Sequence, residues 1–345
     1  MRRQRVLRGS GGLSVRVDVR SVAVVAALAV LSLLAGLLLV GTGDFPLTPV
    51  EVVRTLLGEG TAAQRFVVEE LRLPRALVAL LTGAALGLSG AVFQSVSRNP
   101  LGSPDFLGIG QGAVAGALSV IVLVHGGAAA VAAGAAVGGL LTGAVIYLLS
   151  WRGGGHGYRL VLVGIGTAAV LTAVNGYLLT RAELVDAARA TVWMTGSLGG
   201  RDWGHVRPLL VACVVLVPVV LATGRALGTV ELGDDLAAAL GVRVQRVRLV
   251  AMLAAVLLTA AATAAAGPIA FVALTAPQLA RRLTRASGPH LLPAAAMGAL
   301  LLAAADWAAQ CAFGDTELPA GVVTGVLGGC YLLWLLVGER RQGRI

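Results

Sequence analysis

The sequence is poor in charge and in aromatic side chains. Of its 345 residues, only 13% are charged and 4% are aromatic, and lysine is absent. A soluble domain carries about 25% charged residues, so this composition cannot cover a surface that faces water on all sides. Hydrophobic residues make up 57% of the chain. The composition therefore excludes a soluble globular domain, a disordered chain and a disulfide scaffold, and it predicts a membrane protein.

The residues that common catalytic and metal sites need are also scarce. Three cysteines lie in apolar stretches without a Cys-x-x-Cys spacing, and four histidines stand singly. This pattern indicates neither a metal site nor a disulfide framework. Without lysine, the chain cannot form the Gly-x-x-x-x-Gly-Lys phosphate-binding loop. We predict no catalytic residue, no metal ligand and no bound cofactor, and the scattered arginines do not form a nucleic-acid surface.

What the sequence does contain is long apolar runs. A membrane-spanning helix needs about 20 apolar residues. Ten stretches qualify, namely 22–41, 74–95, 105–124, 128–150, 159–180, 206–223, 248–266, 269–286, 291–310 and 319–338. The first is too long for a signal peptide and lacks an Ala-x-Ala cleavage site. The runs predict an all-α membrane protein of ten transmembrane helices.

The arginines predict the orientation of these helices. With the N-terminus inside, 19 arginines fall in cytoplasmic segments and 8 in outer segments. Short loops rich in arginine stay on the cytoplasmic side. Both termini are therefore expected in the cytoplasm. We predict a basic N-terminus at 1–21, a single ten-helix domain at 22–338 that includes a polar cytoplasmic segment at 224–248, and a cytoplasmic tail at 339–345.

Small residues recur at four-residue spacing within the runs. Such rows let helix backbones approach closely inside a membrane. Three rows are predicted to form helix contacts, and they contain Gly83 and Gly87; Gly108, Gly112 and Gly116; and Gly321, Gly325 and Gly329.

Four segments are more specific than the composition. They are the run RLPRALVALLTGAALGLSG from Arg72, the run RNPLGSPD from Arg98, the run GDDLAAALGV from Gly233, and GPIAF from Gly267 with the APQLAR, AD and ELPAGVVT motifs that follow it. Together they resemble the FecCD family, the permease subunits of ABC importers for iron–siderophore complexes, haem and cobalamin. The motifs look closest to those of the second permease subunit of ferric-enterobactin importers.

The resemblance implies a cobalamin-permease-like fold, that of a type II ABC importer, in the cytoplasmic membrane. It also implies transport of a ferric siderophore, catecholate in kind, driven by ATP hydrolysis on a separate chain. The implied partners are two ATPase subunits, a second permease subunit, and an extracytoplasmic siderophore-binding protein, with lipid around the helices. The iron arrives inside its chelate.

The segment 224–248 contains one short helical pattern. Two carboxylates stand where they would cap and complement a helix N-terminus, apolar residues give the helix one face, and a glycine ends it. Such a helix can dock in the groove of a partner. In the family this segment is the coupling helix, and the residues so assigned are Gly233, Asp234, Asp235, Leu236, Ala237, Leu240 and Gly241.

Arg72 and Arg75 flank Pro74 on the predicted outer side. A cation at a helix N-terminus opposes the helix dipole, which favours an external partner for both. In the family, arginines at these places pair with acids of the binding protein. Gln310 stands where the cobalamin permease carries a third arginine, and this departure favours a heterodimer with a permease that retains it.

The resemblance also indicates residues of the translocation path. His156, Gly157 and Tyr158 precede the fifth span, where the cobalamin permease narrows its cytoplasmic exit. Asn175 and Trp193 are further candidates for the path or its gate.

Other functions stay open. A haem or cobalamin permease of the same family is one alternative, and a secondary transporter coupled to protons or sodium is another. The latter needs acids within the membrane, and Asp306 is the only carboxylate placed inside a predicted span, since Asp105 stands at the cytoplasmic start of the third. An intramembrane enzyme would need a paired acid, a nucleophile or a metal cluster.

Overall fold

The computed structural model describes residues 4–8, 14–105, 108–150, 157–312 and 318–341. It consists of helices preceded by one antiparallel hairpin, which the sequence analysis did not predict. The elements in chain order are β1 (Gln4–Arg8), β2 (Ser14–Asp18), α1 (Val19–Gly41), α2 (Pro49–Leu56), α3 (Ala62–Arg65), α4 (Leu73–Ser97), α5 (Ile109–Ser119), α6 (Ala128–Ser150), α7 (Gly157–Arg181), α8 (Leu184–Met194), α9 (Trp203–Val230), α10 (Asp234–Ala239), α11 (Val244–Ala266), α12 (Val272–Thr284), α13 (Leu291–Cys311) and α14 (Ala320–Arg341). Two π-helical segments, Phe66–Arg72 and Val120–Val124, join α3 to α4 and extend α5.

Each of the ten predicted spans coincides with one helix of this series. Among the described residues, seven helices are long and apolar enough to cross a membrane. The third, eighth and tenth spans are shorter: Ile109–Val124, Val272–Thr284 and the apolar part of α14, Ala320–Trp334. With ten spans, seven of them long and three shorter, both ends of the chain lie on the same side of the membrane.

Two spans are short because irregular backbone precedes them. Pro100 and Pro104 lie in the loop before α5, and Pro268 lies before α12. Proline lacks the N–H that a helix needs. Each helix then begins after a residue with positive φ, Gly108 at 80° and Phe271 at 66°.

Three boundaries differ from the prediction. Helix α9 continues to Val230, and α11 starts at Val244, so the polar segment is confined to 231–243 instead of 224–248. Leu227 and Val230 are fully buried, and this packing extends the helix beyond the apolar run. Helix α14 runs to Arg341, past the predicted limit at 338. Helix α8 was not predicted because its eleven residues are too few for a span.

Helix α4 lies at the centre of the bundle, against α9, α11, α12 and α13. Its apolar window is buried to a larger extent than that of any other long apolar helix. Gly83 and Gly87 face the backbone of α13, where a methyl group would collide with the carbonyl oxygens of Gly298 and Ala294. Gly90 faces the Ala273 carbonyl of α12 in the same way. The first predicted glycine row is therefore a packing face.

The second predicted glycine row is also a packing face, and the third is one in part. Gly112 and Gly116 on α5 lie against Gly138 and Gly134 of α6. In the third row, Gly321 lies against the carbonyl oxygen of Thr195. Gly325 and Gly329 of that row have open space beside them in this chain.

The contact between α4 and α13 gives a stability prediction. Alanine at position 87 gains helix propensity of about 1 kcal/mol, yet its methyl group meets the fixed Ala294 carbonyl. We expect Gly87→Ala to lower stability by about 1–3 kcal/mol, as overpacking does. The matched control is Gly110→Ala on α5, where no atom lies within 4 Å of an added Cβ. Thermal unfolding in detergent measures both. An equal or higher midpoint for Gly87→Ala would contradict the close contact.

Candidate functional site

The polar segment between α9 and α11 presents a short helix with two exposed leucines. Gly233, with φ of 123°, precedes α10, and Gly241, with φ of 83°, follows it. Leu236 and Leu240 are 50% and 63% exposed, and they are four residues apart, so they share one face. Ala237 is fully buried. The prediction that Leu236, Ala237 and Leu240 form one exposed apolar face is wrong for Ala237, which packs inward while the two leucines point outward.

The two carboxylates of α10 have different surroundings. The Asp234 carboxylate accepts hydrogen bonds from Arg248, whose Nη1 and Nη2 lie 2.8 and 2.7 Å away. Arg98 Nη2 donates to the same carboxylate at 3.0 Å. Asp235 is exposed. The predicted capping role is wrong, because Gly233 occupies the cap position and no side-chain cap bond forms. Both acids do lie in the first turn, where they complement the helix dipole.

Arg72 has an internal partner. Its Nη1 donates to the carbonyl oxygens of Val40 at 3.1 Å and Gly41 at 3.4 Å. These carbonyls end α1, where a cation is favourable. The helix that holds Arg72 begins eleven residues earlier, at the Thr61 cap, and continues through a π-helical segment. Arg72 therefore does not lie at a helix N-terminus, and the prediction that its charge opposes a helix dipole there is wrong.

Arg75 forms a bidentate ion pair with Asp306 of α13. Its Nε and Nη2 donate to the two carboxylate oxygens at 2.9 and 3.0 Å. Asp306 is fully buried, and 14% of the Arg75 side chain is exposed. Gln310 Nε2 donates to Asp306 at 3.2 Å. The three predicted docking residues thus have intramolecular partners, and a docking role for them stays a prediction.

The path candidates fall into two groups. Asn175 on α7 is buried, and its Nδ2 donates to the carbonyl oxygen of Gln111 at 3.2 Å and to its side-chain oxygen at 3.0 Å. Trp193, in the last turn of α8, packs against the apolar cluster that α5, α7 and α8 share. His156 lies outside the described residues, whereas Gly157 and Tyr158 begin α7. Their role in the path stays a prediction.

Two residues that the sequence analysis did not assign belong to the site. Arg98 and Arg248 lie 136 and 14 residues from Asp234 in the chain, and both bind its carboxylate. Arg98 belongs to a motif that was recognised, but its charge partner could not be read from the motif. No group of three or more His, Cys, Asp or Glu side chains is placed to hold a metal ion within the part of the chain that the structure describes.

The bundle and its surfaces define a class of protein. Long apolar helices form a bundle, irregular segments precede two of the shorter helices, and a short helix with exposed leucines lies in a polar loop. These features are those of a multi-pass permease, and comparison with known proteins specifies the family.

The chain belongs to the FecCD transport family, whose model matches residues 27–338. It is 47% identical to the ferric enterobactin transport system permease FepG of Escherichia coli over 308 residues, which cover 89% of this chain and 93% of FepG. It is 37% identical to the iron(3+)-hydroxamate import permease FhuG of Bacillus subtilis, over 86% of this chain and 90% of FhuG. These relatives identify a multi-pass protein of the cytoplasmic membrane.

A solved structure agrees with the fold. An inward-facing metal-chelate type ABC transporter superposes with a TM-score of 0.80 and 26% identity, over 92% of this chain and 99% of the other. The predicted ABC-importer permease fold is confirmed.

The buried ion pair gives a second prediction. We expect Asp306→Ala to destabilise the protein by about 3–5 kcal/mol, because the mostly buried Arg75 side chain loses its carboxylate. The double variant Arg75→Met/Asp306→Leu is expected to recover most of this loss, because no charge stays buried. Glu59→Ala, at an exposed carboxylate, is the control. Thermal unfolding in detergent is the measurement, and equal midpoints for Asp306→Ala and Glu59→Ala would contradict a structural pair.

Proposed function

We propose that this chain is the membrane permease of an ATP-driven importer that carries ferric-siderophore complexes into the cytoplasm. The observation that carries the proposal is the 47% identity to a ferric enterobactin permease across almost the whole length of both proteins. The seven long apolar helices and the exposed helix α10 support it.

The proposed substrate is a ferric catecholate chelate of the enterobactin type. Identity is higher to the enterobactin permease than to the hydroxamate permease or to the hemin permease HmuU of Yersinia pestis, which are both 37% identical. In this proposal the iron crosses inside its chelate. The permease binds neither a free metal ion nor a cofactor.

ATP hydrolysis takes place on two separate ATPase subunits. The sequence has no lysine for a phosphate-binding loop of its own. Leu236 and Leu240 supply an exposed apolar face on α10, and exposed Asp235 stands at its edge. A groove on each ATPase subunit that receives a short helix would bind this face.

A second permease subunit and an extracytoplasmic binding protein complete the transporter. Helices α7 and α14 leave large apolar side chains exposed, among them Ile165, Val170, Val326 and Leu327, which suit a partner helix. We propose a heterodimer on the resemblance to permeases that work in such pairs. The side chain of Gln310 is weak support for the heterodimer, because its amide already binds Asp306 within this chain.

The ion-coupled alternative has weaker support. A coupling carboxylate must take up and release its ion, yet Asp306 is held by Arg75 and Gln310. A haem or cobalamin permease of the same family would share the fold, so transport has to decide between substrates.

Uptake in cells that lack this gene tests the substrate. We expect loss of radiolabelled iron uptake from a catecholate siderophore, with hydroxamate, haem and cobalamin uptake unchanged, and recovery when the gene returns on a plasmid. Loss confined to haem or cobalamin would favour the alternative within the family. Uptake that survives ATP depletion but stops with a protonophore would favour a secondary transporter.

Charge and polarity changes on α10 test the coupling role. We expect Asp235→Arg/Leu240→Glu to fold normally, because both side chains are exposed, and to reduce uptake at least about tenfold, the effect of losing 1.4 kcal/mol of binding. The ATPase should no longer co-purify. The control Leu57→Glu/Glu59→Arg makes similar changes on the opposite side of the bundle, where Leu57 is 75% exposed. Wild-type uptake with bound ATPase in the α10 variant would rule out this docking face.

A further inference from the structure

Asp234 lies on α10 beside the exposed leucines, and its half-exposed carboxylate binds two arginines of neighbouring helices. Arg248, which belongs to α11 and is buried, binds both of its carboxylate oxygens. Arg98, at the end of α4, binds it from another side. One carboxylate therefore connects the short helix to two transmembrane helices. An ATPase subunit that docks on Leu236 and Leu240 would meet Asp235, whereas both carboxylate oxygens of Asp234 already accept bonds from within the permease.

Arg98 adopts a backbone conformation that arginine seldom adopts. Arg98 ends α4 in the left-handed conformation, with φ of 50° and ψ of 32°. Residues other than glycine, asparagine and aspartate seldom adopt it. Glycine would fit this cap at no steric cost. The arginine instead donates from its side chain to Asp234. A glycine at this position would relax the backbone but would lose this ion pair.

Neighbouring contacts bring the same elements together. Glu231, just before α10, accepts a hydrogen bond from Ser95 of α4 at 2.7 Å and lies 4.0 Å from the Arg281 guanidinium of α12. Gln278 of α12 donates to the Pro100 carbonyl at 2.6 Å. The end of α4, the loop that follows it and α12 are therefore joined to the segment that holds α10.

We propose that Asp234 is a positioning residue that passes the movement of α10 to α4 through Arg98 and to α11 through Arg248, with the loop 98–105 and α12 following through the contacts of Gln278 and Glu231. It is not a contact to the ATPase. The inference rests on the proposed function, because it assumes that an ATPase moves α10. Bidentate arginine–carboxylate bonds fix direction as well as distance, so a displacement of α10 displaces the ends of the helices bound to it.

Four permease variants test this in the reconstituted transporter with its ATPase, second permease, binding protein and ferric catecholate. Arg98→Gly removes the ion pair and relaxes the backbone, so folding is preserved. Arg98→Lys keeps a cation that can make the single bond. Asp234→Asn removes the carboxylate charge. Arg285→Gly is the matched control, since Arg285 directly follows α12 and also has a φ of 50°.

The measurements are siderophore transported per ATP hydrolysed, ATPase co-purification and the thermal midpoint. We expect Arg98→Gly and Asp234→Asn to lower the transport ratio about tenfold, within the range of coupling between distant sites. The ATPase should stay bound. Arg98→Lys should restore the ratio, and Arg285→Gly should match the wild type. The thermal midpoint of Arg98→Gly should not fall, which separates positioning from folding.

Two results would overturn the inference. One is a wild-type transport ratio in Arg98→Gly. The other is loss of the ATPase from Asp234→Asn to the extent seen in Asp235→Arg/Leu240→Glu, which would make Asp234 a docking residue. Failure of the proposed function looks different: the wild-type permease itself would then neither bind the ATPase nor transport the siderophore.

Discussion

Helix α4 packs against α13 and α12 through glycines, which have no side chain. Lipid tails are as apolar as leucine, so burial of apolar surface does not drive helices together inside a membrane. Close van der Waals contact has to do so, and Gly83, Gly87 and Gly90 allow the backbone of α4 to meet α13 and α12 directly. The position of α4 in turn fixes Arg75 near one of its ends and Arg98 at the other.

Charged side chains then join elements at both ends of this packed centre. At one end, Arg75 binds Asp306 of α13, and Arg72 binds the last carbonyls of α1. At the other end, Arg98 and Arg248 meet at Asp234. The proposed transport cycle requires movement of α10 to reach the membrane helices. In that proposal, the contacts at Asp234 connect α10 to α4 and α11.

The sequence predicted the ten helices of the bundle well, because long apolar runs leave few alternatives in a bilayer. It overestimated the span at 269–286, since the runs on either side of Pro268 read as continuous apolar sequence while the backbone around that proline is irregular. It also assigned 224–230 to the polar segment, although the buried side chains of Leu227 and Val230 continue α9. The exposed pair Leu236 and Leu240 was predictable, because its four-residue spacing defines a face.

The sequence by itself determined the class of protein, the order of its ten apolar spans, and its resemblance to siderophore permeases. These follow from composition and local order, since a residue's preference for lipid or water does not depend on distant parts of the chain. The tertiary structure alone decided which arginine binds which carboxylate. Arg75 and Asp306 are 231 residues apart in the chain, and their oxygen and nitrogen atoms lie 2.9 Å apart in space. A charge pair depends on distance in three dimensions, and only the packing of α4 against α13 sets that distance.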